Sequence, residues 1–204
     1  MGSQWKKDSV YKKSVREGYL ARSAYKLLDI NERFNIIRKT DNVVDLGAAP
    51  GSWLQVLRTM TNGQLLGVDL TPIVPMEYVI TITGDFTTPK VQEKIMELMP
   101  FVNVVVSDAS PHLSGAKAYD QARIMALNED TLRFTELLLK QGGNFVMKSF
   151  QGIDFNDLFN QVKERFYAVR VIRSVATRRG STECYIVAKN FIGDADDDRK
   201  RSSE

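Results

Sequence analysis

Residues 43–53 read Val-Val-Asp-Leu-Gly-Ala-Ala-Pro-Gly-Ser-Trp, and this stretch decides the fold class. The apolar run at 43–46 predicts a short buried strand, and the apolar spacing of 52–60 predicts a helix. Gly47 and Gly51 indicate a turn between them that lets the backbone approach a ligand closely. Because the turn lacks the Gly-Lys-Ser/Thr of a P-loop, it predicts a nucleoside site and not an NTPase phosphate cradle.

Strands and helices alternate on both sides of this stretch. Further strands are predicted at 64–70, 78–83, 102–107, 144–148, 168–174 and 184–189, and further helices at 22–34, 89–99, 119–140 and 155–166. This alternation predicts an α/β fold with a mostly parallel sheet and helices on both faces. Residues 169–173 and 184–189 leave no room for a crossover helix, so we expect them to form an antiparallel hairpin.

Composition restricts the class of protein. A chain of 204 residues with 43% hydrophobic content can bury one core without disulfides or structural metal. The single cysteine, Cys184, lies in an apolar run and is expected to be buried, which favours a reducing cytoplasm. No Cys/His spacing indicates a metal site, and no apolar stretch approaches the roughly 20 residues that span a bilayer. We therefore expect a cytoplasmic protein with no metal and no membrane partner.

The net charge of +3 is unevenly distributed. We expect a basic arm at 1–21, a single domain at 22–192 and a disordered tail of mixed charge at 193–204. Phosphate-binding candidates are Lys6, Lys7, Lys12, Lys13, Arg22, Arg178 and Arg179. Aromatic residues interleave with the basic ones near the start of the chain and could stack on bases. Taken alone, the basic arm could instead be a solvated segment that binds no nucleic acid.

An aspartate lies at the end of each of four successive strands, at Asp45, Asp69, Asp85 and Asp108. Asp69 is placed to accept hydrogen bonds from both hydroxyls of a ribose, as in dinucleotide-binding folds. We expect Asp85 to accept from an adenine amino group, with Phe86 against the ring. The turn is not Gly-x-Gly-x-x-Gly, which disfavours NAD, whereas four acids suit the cationic S-adenosylmethionine. Each acid taken singly could instead be a turn or cap residue.

Four polar residues lie far apart in the sequence, each near the end of a predicted element: Lys26, Asp108, Lys148 and Glu183. A fold that gathers them would place two amines and two carboxylates beside the turn at 47–51. The alternative is an ordinary buried ion-pair network, which also perturbs titration. His112 lies in the irregular stretch after 107 and is expected to face solvent or RNA, outside the catalytic set.

At this point the sequence resembles a known family, the FtsJ-type ribose 2′-O-methyltransferases, which methylate a uridine of large-subunit ribosomal RNA. The matching stretches include Arg22-Ser-Ala-Tyr-Lys-Leu, Val44-Asp-Leu-Gly-Ala-Ala-Pro-Gly-Ser-Trp, Gly67-Val-Asp-Leu, Gly84-Asp-Phe, Ser107-Asp-Ala-Ser-Pro, Gly143-Asn-Phe-Val-Met-Lys-Ser-Phe-Gln-Gly and Ser181-Thr-Glu-Cys-Tyr-Ile-Val-Ala. They cover nearly the whole chain in order. The resemblance implies a Rossmann-like class I methyltransferase fold, with seven strands of which the last is antiparallel.

The resemblance also implies site residues. The Lys-Asp-Lys-Glu tetrad of the family falls on Lys26, Asp108, Lys148 and Glu183. The cofactor residues of the family fall on Gly51, Trp53, Asp69, Asp85 and Asp108, and to these we add the neighbouring candidates Gly47, Ala48, Pro50 and Phe86. Trp53 can also be read as a core residue.

The chemistry assigns roles within this tetrad. A ribose hydroxyl is a poor nucleophile, so its proton must leave as the oxygen attacks the methyl group. We expect Lys148 to accept that proton as a neutral amine, which a second ammonium at Lys26 would favour. Asp108 and Glu183 would position the two amines.

The predicted function is therefore the S-adenosylmethionine-dependent 2′-O-methylation of a ribose, that of a uridine, in 23S-type ribosomal RNA. The expected partner is ribosomal RNA or the large ribosomal subunit, and the expected state is a monomer. The sequence leaves open the same reaction on the anticodon loop of transfer RNA, and more distantly a non-catalytic RNA-binding scaffold. A DNA or small-molecule methyltransferase usually carries an Asn-Pro-Pro-Tyr-like site where this chain has Ser107-Asp-Ala-Ser-Pro.

Overall fold

The computed structural model describes residues 14, 16–112, 114–152, 154–177 and 180–193. The described strands are β1 (Val43–Leu46), β2 (Leu65–Asp69), β3 (Val79–Thr83), β4 (Val102–Ser107), β5 (Leu139–Phe150), β6 (Phe166–Ile172) and β7 (Glu183–Phe191). The described helices are α1 (Ala24–Phe34), α2 (Ser52–Met60), α3 (Pro89–Leu98), α4 (Lys117–Leu138) and α5 (Phe155–Arg165). None of the helices in this part of the chain is long and apolar enough to cross a bilayer.

The seven strands form one sheet in the order β3-β2-β1-β4-β5-β7-β6. Strands β1 to β5 run parallel, whereas β7 lies between β5 and β6 and is antiparallel to both. The predicted α/β fold and its antiparallel hairpin are thus confirmed. Strand order reverses between β1 and β4, and such a reversal opens a crevice at the carboxyl ends of the strands.

Helices cover both faces of the sheet, which is why all four residues of β1 are buried. On one face, α1 and α2 contribute Leu27 and Leu57 to a core that includes Val146 and Val187. On the other face, α3, α4 and α5 pack against a second core. Each fully buried aliphatic side chain contributes about 1.5–3 kcal/mol, so these cores hold the strand ends in fixed positions.

Gly47 allows two strand ends to approach each other. Its φ is +80°, in the left-handed region that favours glycine. A Cβ atom built on Gly47 would lie 2.7 Å from the Cα atom of Ala109. Only glycine lets the turn after β1 pass this close to the residue that follows Asp108.

Several element boundaries differ from the sequence-based ones, and two of the differences concern β5 and α1. Strand β5 begins at Leu139, five residues before the predicted start, because Leu139 already pairs with Val102. The intervening residues 140–142 are polar or glycine and exposed, so they carry no apolar strand pattern. Helix α1 begins at Ala24, and the Ser23 hydroxyl pairs with that of Ser52 at 2.7 Å and does not cap the helix.

Candidate active site

The four dispersed polar residues lie together in the structure as two ion pairs. Lys148 Nζ lies 3.2 Å from Asp108 Oδ1 and donates a 2.8 Å hydrogen bond to the carbonyl oxygen of the same residue. Lys26 Nζ lies 2.7 Å from Glu183 Oε1, which also accepts a 3.1 Å hydrogen bond from the Thr177 hydroxyl. All four side chains of the pairs are less than a fifth exposed, so solvent screens them weakly.

Strand register explains this gathering. Lys148 lies opposite Tyr185 in the antiparallel pair of β5 and β7, and Phe150 lies opposite Glu183. Side chains alternate across a sheet, so Lys148, Tyr185 and Glu183 share the face that α1 and α2 cover. Asp108 directly follows β4, the parallel neighbour of β5, and therefore reaches Lys148 from the adjacent strand end.

Tyr185 connects the two ion pairs, and sequence reasoning missed it. Its hydroxyl donates a 2.6 Å hydrogen bond to Asp108 Oδ1, and Lys26 Nζ lies 5.5 Å from its ring centroid. The residue is fully buried, and this burial, with the charges of Asp108 and Glu183, raises the pKa of the Tyr185 phenol well above its usual value. The phenol therefore stays a neutral donor. The two-residue spacing from Glu183 was the sequence signal that could have found it.

A cleft of about 560 Å³ adjoins the Asp108 side of this cluster. Five residues of the predicted cofactor set line it: Gly47, Asp69, Asp85, Phe86 and Asp108. Its other lining residues include Ala49, Thr71, Thr87 and His112. The exposed His112 thus lies on the cleft wall, where its carbonyl oxygen accepts a 2.8 Å hydrogen bond from Arg123.

The remaining residues of the predicted cofactor set, Ala48, Pro50, Gly51 and Trp53, are not among the residues that line the cleft. Trp53 is 2% exposed, packs against the Tyr185 ring and donates through Nε1 to the Ser23 carbonyl at 2.8 Å. The structure therefore places Trp53 in the core beneath the tetrad. Ala48 and Gly51 are also buried, whereas Pro50 is exposed.

Two threonines orient the acids of the cleft in the same way. Asp69 Oδ1 accepts hydrogen bonds from the Thr71 backbone N–H at 2.8 Å and from its hydroxyl at 2.9 Å. Asp85 Oδ1 accepts equivalent bonds from Thr87 at 2.9 and 2.7 Å. The other oxygen of Asp69 accepts from Ala49 N–H at 3.0 Å. The Asp-x-Thr pattern after two successive strands was visible in the sequence, although its role was not predicted.

Asp45 is a buried acid whose charge has no partner. Both of its carboxylate oxygens lack a hydrogen bond within the described part of the chain. Complete burial raises the pKa of Asp45 well above its usual value, and the charges of Asp108 and Asp69 raise it further. The close approach of these three acids disfavours their negative charges, and a cationic ligand beside them would relieve that repulsion. No group of three or more His, Cys, Asp or Glu side chains among the described residues could hold a metal ion.

The basic residues predicted to bind RNA are described only in part. Arg22 is half-buried just before α1. Lys6, Lys7, Lys12, Lys13, Arg178 and Arg179 lie outside the described residues.

Comparison with known proteins gives concordant matches. The family model described as FtsJ-like methyltransferase matches residues 19–191. The ribosomal RNA large subunit methyltransferase E of Methanocorpusculum labreanum is 79% identical over 98% of this chain and 99% of its own length. The protein of the same name from Methanoculleus marisnigri is 62% identical over 97% and 98%.

A solved structure also matches. The crystal structure of a Plasmodium falciparum protein, described as a ribosomal RNA methyltransferase, is similar with a TM-score of 0.77 and 27% identity. The similarity covers 86% of this chain and 100% of the other.

Proposed function

Because the chain belongs to the FtsJ-like methyltransferase family, we propose that it methylates the ribose 2′-hydroxyl of a uridine in large-subunit ribosomal RNA, with S-adenosylmethionine as donor. The observation that carries the proposal is that Asp108 contacts both the cleft and Lys148. Its side chain lines the cleft and also lies 3.2 Å from Lys148 Nζ. A ligand in the cleft and a hydroxyl at Lys148 would therefore both lie near this carboxylate.

The residues of the cleft fit this cofactor. S-adenosylmethionine carries a sulfonium and an amino group, both cationic, and three acids line the cleft, Asp69, Asp85 and Asp108. Asp69 would accept from the ribose hydroxyls, and Asp85 would accept from the adenine amino group beside Phe86. Their threonine partners leave lone pairs available, since a carboxylate can accept about four hydrogen bonds. When bound, the cofactor supplies an electrophilic methyl group.

Lys148 is placed to accept the proton of the hydroxyl. A neutral amine has two N–H bonds, and Asp108 offers two acceptors, its carbonyl oxygen at 2.8 Å and Oδ1 at 3.2 Å. The lone pair of Lys148 is then left for the proton that the attacking oxygen loses. Lys26 Nζ is held 2.7 Å from Glu183 Oε1 by the second ion pair. Fixed positions of these groups supply much of the rate.

The nature of the relatives favours ribosomal RNA over the transfer RNA anticodon loop as the substrate. Two relatives that match along nearly their whole length carry the name ribosomal RNA large subunit methyltransferase E. The basic residues at 6–13, with Arg22, Arg178 and Arg179, would hold phosphates around the site. Reversing the charge at Arg178 and Arg179 should raise the RNA dissociation constant while cofactor affinity stays the same. We further propose that the protein acts as a monomer in the cytoplasm.

The test is methyl transfer by the whole protein to large ribosomal subunits and to total transfer RNA, followed by mass spectrometry of RNA fragments. We expect one 2′-O-methyluridine in large-subunit RNA, which is lost in Lys148→Ala. A matched control is Lys163→Ala, since Lys163 is an exposed lysine of α5. Methylation of transfer RNA alone, or full activity of Lys148→Ala, would contradict the proposal.

A further inference from the structure

A second cavity, of about 590 Å³, opens beside the tetrad. Its walls come from the first turns of α4, the end of β5 and the residues that lead into β7. Gln121, Ile124, Met125, Phe150, Gln151 and Thr182 line it. None of these residues lines the cofactor cleft, so the two cavities are separate.

The tetrad is connected to both cavities through its neighbours. Asp108, at one end, lines the cofactor cleft. Glu183, at the other end, directly follows Thr182 and pairs across the strands with Phe150, and both of these line the second cavity. A nucleotide whose ribose reaches Lys148 from the side away from the cofactor therefore has its base within reach of this second cavity.

The walls of the cavity have the chemistry of a nucleobase site. Ile124 and Met125 are 9% and 8% exposed, and with the half-buried Phe150 they offer an apolar surface to a flat ring. RNA-binding proteins commonly read a splayed base by such a surface together with hydrogen bonds to its edges. The volume also lies within the range of small-molecule sites, roughly 300–1,000 Å³.

Two glutamines supply unused hydrogen-bonding groups at this surface. The side-chain amides of Gln121 and Gln151 make no hydrogen bond to any residue that the structure describes. Gln121 lies against the end of β5, since a Cβ atom on Gly152 would be 1.8 Å from its Nε2 atom. Each amide offers a donor and an acceptor, which is the pattern that the carbonyl and imide groups of uracil require.

The carboxylate in the cavity wall is already engaged. Asp120 accepts hydrogen bonds from the backbone and hydroxyl of Ser114 and from the backbone of Gly115, at 2.7 to 2.9 Å. Those hydrogen bonds lower the pKa of Asp120. Its charge is therefore directed to the loop before α4, and Lys117 at the start of α4 adds a positive charge to the same wall. The wall is thus compatible with a polyanion.

We propose that this second cavity binds the base of the target nucleotide and that Gln121 and Gln151 read its edge. The inference rests on the proposed function, because it places the base of the nucleotide whose ribose is methylated. It adds a binding site that selects the base, distinct from the residues that carry out the transfer.

The test compares two RNAs with the whole protein. One is the large-subunit segment that carries the methylated uridine, and the other is the same RNA with that base removed and its 2′-hydroxyl kept. We expect the wild type to prefer the complete RNA on the order of 10- to 100-fold in kcat/KM, the range of a stacked and hydrogen-bonded base. The variant Gln121→Ala/Gln151→Ala should lose most of that preference while its S-adenosylmethionine affinity stays within about twofold.

Gln64→Ala is the control, since Gln64 is an exposed glutamine just before β2, at the end of the parallel strands opposite to the second cavity. It should keep the full preference. If the wild type methylates both RNAs equally, the base site is overturned while the proposed function stands. Absence of RNA methylation by the wild type would instead overturn the proposed function. Equal methylation of both RNAs by the wild type overturns the inference even if the double variant does not fold.

Discussion

Tyr185 and Lys148 meet on one oxygen atom of Asp108. The Tyr185 hydroxyl donates to Oδ1 at 2.6 Å, and Lys148 Nζ lies 3.2 Å from the same atom. The two donors are register partners on β7 and β5, so the pairing of the strands fixes where they converge. These two strand residues, and not only the loop after β4, therefore fix the orientation of the Asp108 side chain.

Replacing Tyr185 by Phe tests this relationship. The change removes one donor from a mostly buried carboxylate, and a hydrogen bond to a charged group is worth about 1.5–3 kcal/mol. We expect methyl transfer in single turnover to slow by roughly 10- to 100-fold and the free energy of unfolding to fall by about 1–3 kcal/mol. Tyr167→Phe is the control, because Tyr167 is 83% exposed on β6. Equal rates in the two variants would refute the role of Tyr185.

The phenol of Tyr185 should also resist ionisation. Burial and the charges of Asp108 and Glu183 raise its pKa well above the usual value, whereas an exposed tyrosine titrates near pH 10. In a titration of absorbance at 295 nm, the folded wild type and Tyr185→Phe should therefore show the same number of ionising tyrosines up to about pH 11. One tyrosine fewer in the variant over that range would show that the phenol is accessible.

The order and type of the elements could be predicted from the sequence, because buried parallel strands such as 43–46 are uninterrupted apolar runs. The four tetrad residues stood out by their positions near the ends of predicted elements, and the family resemblance grouped them into one set. What could not be predicted depends on register between distant segments. Tyr185 reads as one more apolar position of β7 until its pairing with Lys148 is known. Trp53 follows the turn at 47–51 and had two readings from sequence, and its side chain packs inward.

The pair of Lys26 and Glu183 should be strongly coupled. Breaking a buried ion pair leaves one charge uncompensated, which costs about 3–5 kcal/mol. We expect Lys26→Met and Glu183→Gln each to lower the free energy of unfolding by several kcal/mol, and the double variant to lose much less than their sum. Denaturant unfolding of the three variants measures this coupling. The exposed pair of Arg133 and Asp130 serves as the control cycle and should show coupling near zero. Additive losses at Lys26 and Glu183 would contradict the prediction.

Thr87 should affect cofactor binding through Asp85. In Thr87→Val, Asp85 Oδ1 loses the 2.7 Å hydrogen bond that helps hold it in place, while the size of the side chain is kept. We expect the S-adenosylmethionine dissociation constant to rise about 3- to 10-fold, as for the loss of one hydrogen bond of roughly 1 kcal/mol. Thr88→Val is matched to it, because the Thr88 hydroxyl donates to the Asp85 carbonyl and not to its carboxylate. Calorimetric titration should find weaker binding in Thr87→Val than in Thr88→Val, and the reverse order would exclude this role.

Asp45→Asn should stabilise the protein without cofactor as the pH rises. The pKa of Asp45 is raised by burial and by Asp108 and Asp69, so the folded state binds more protons than the unfolded chain above about pH 4. The favourable contribution of Asp45 to the free energy of unfolding is present below its usual pKa and is lost as the pH rises toward its raised pKa.

The Asp45→Asn side chain cannot ionise over this pH range. The advantage of the variant in free energy of unfolding should therefore grow between pH 5 and pH 8, by at most about 1.4 kcal/mol per pH unit. Thermal unfolding across this pH range, with Asp157→Asn at an exposed position of α5 as the control, measures the effect. Parallel stability curves for Asp45→Asn and the wild type would show that Asp45 keeps one protonation state throughout.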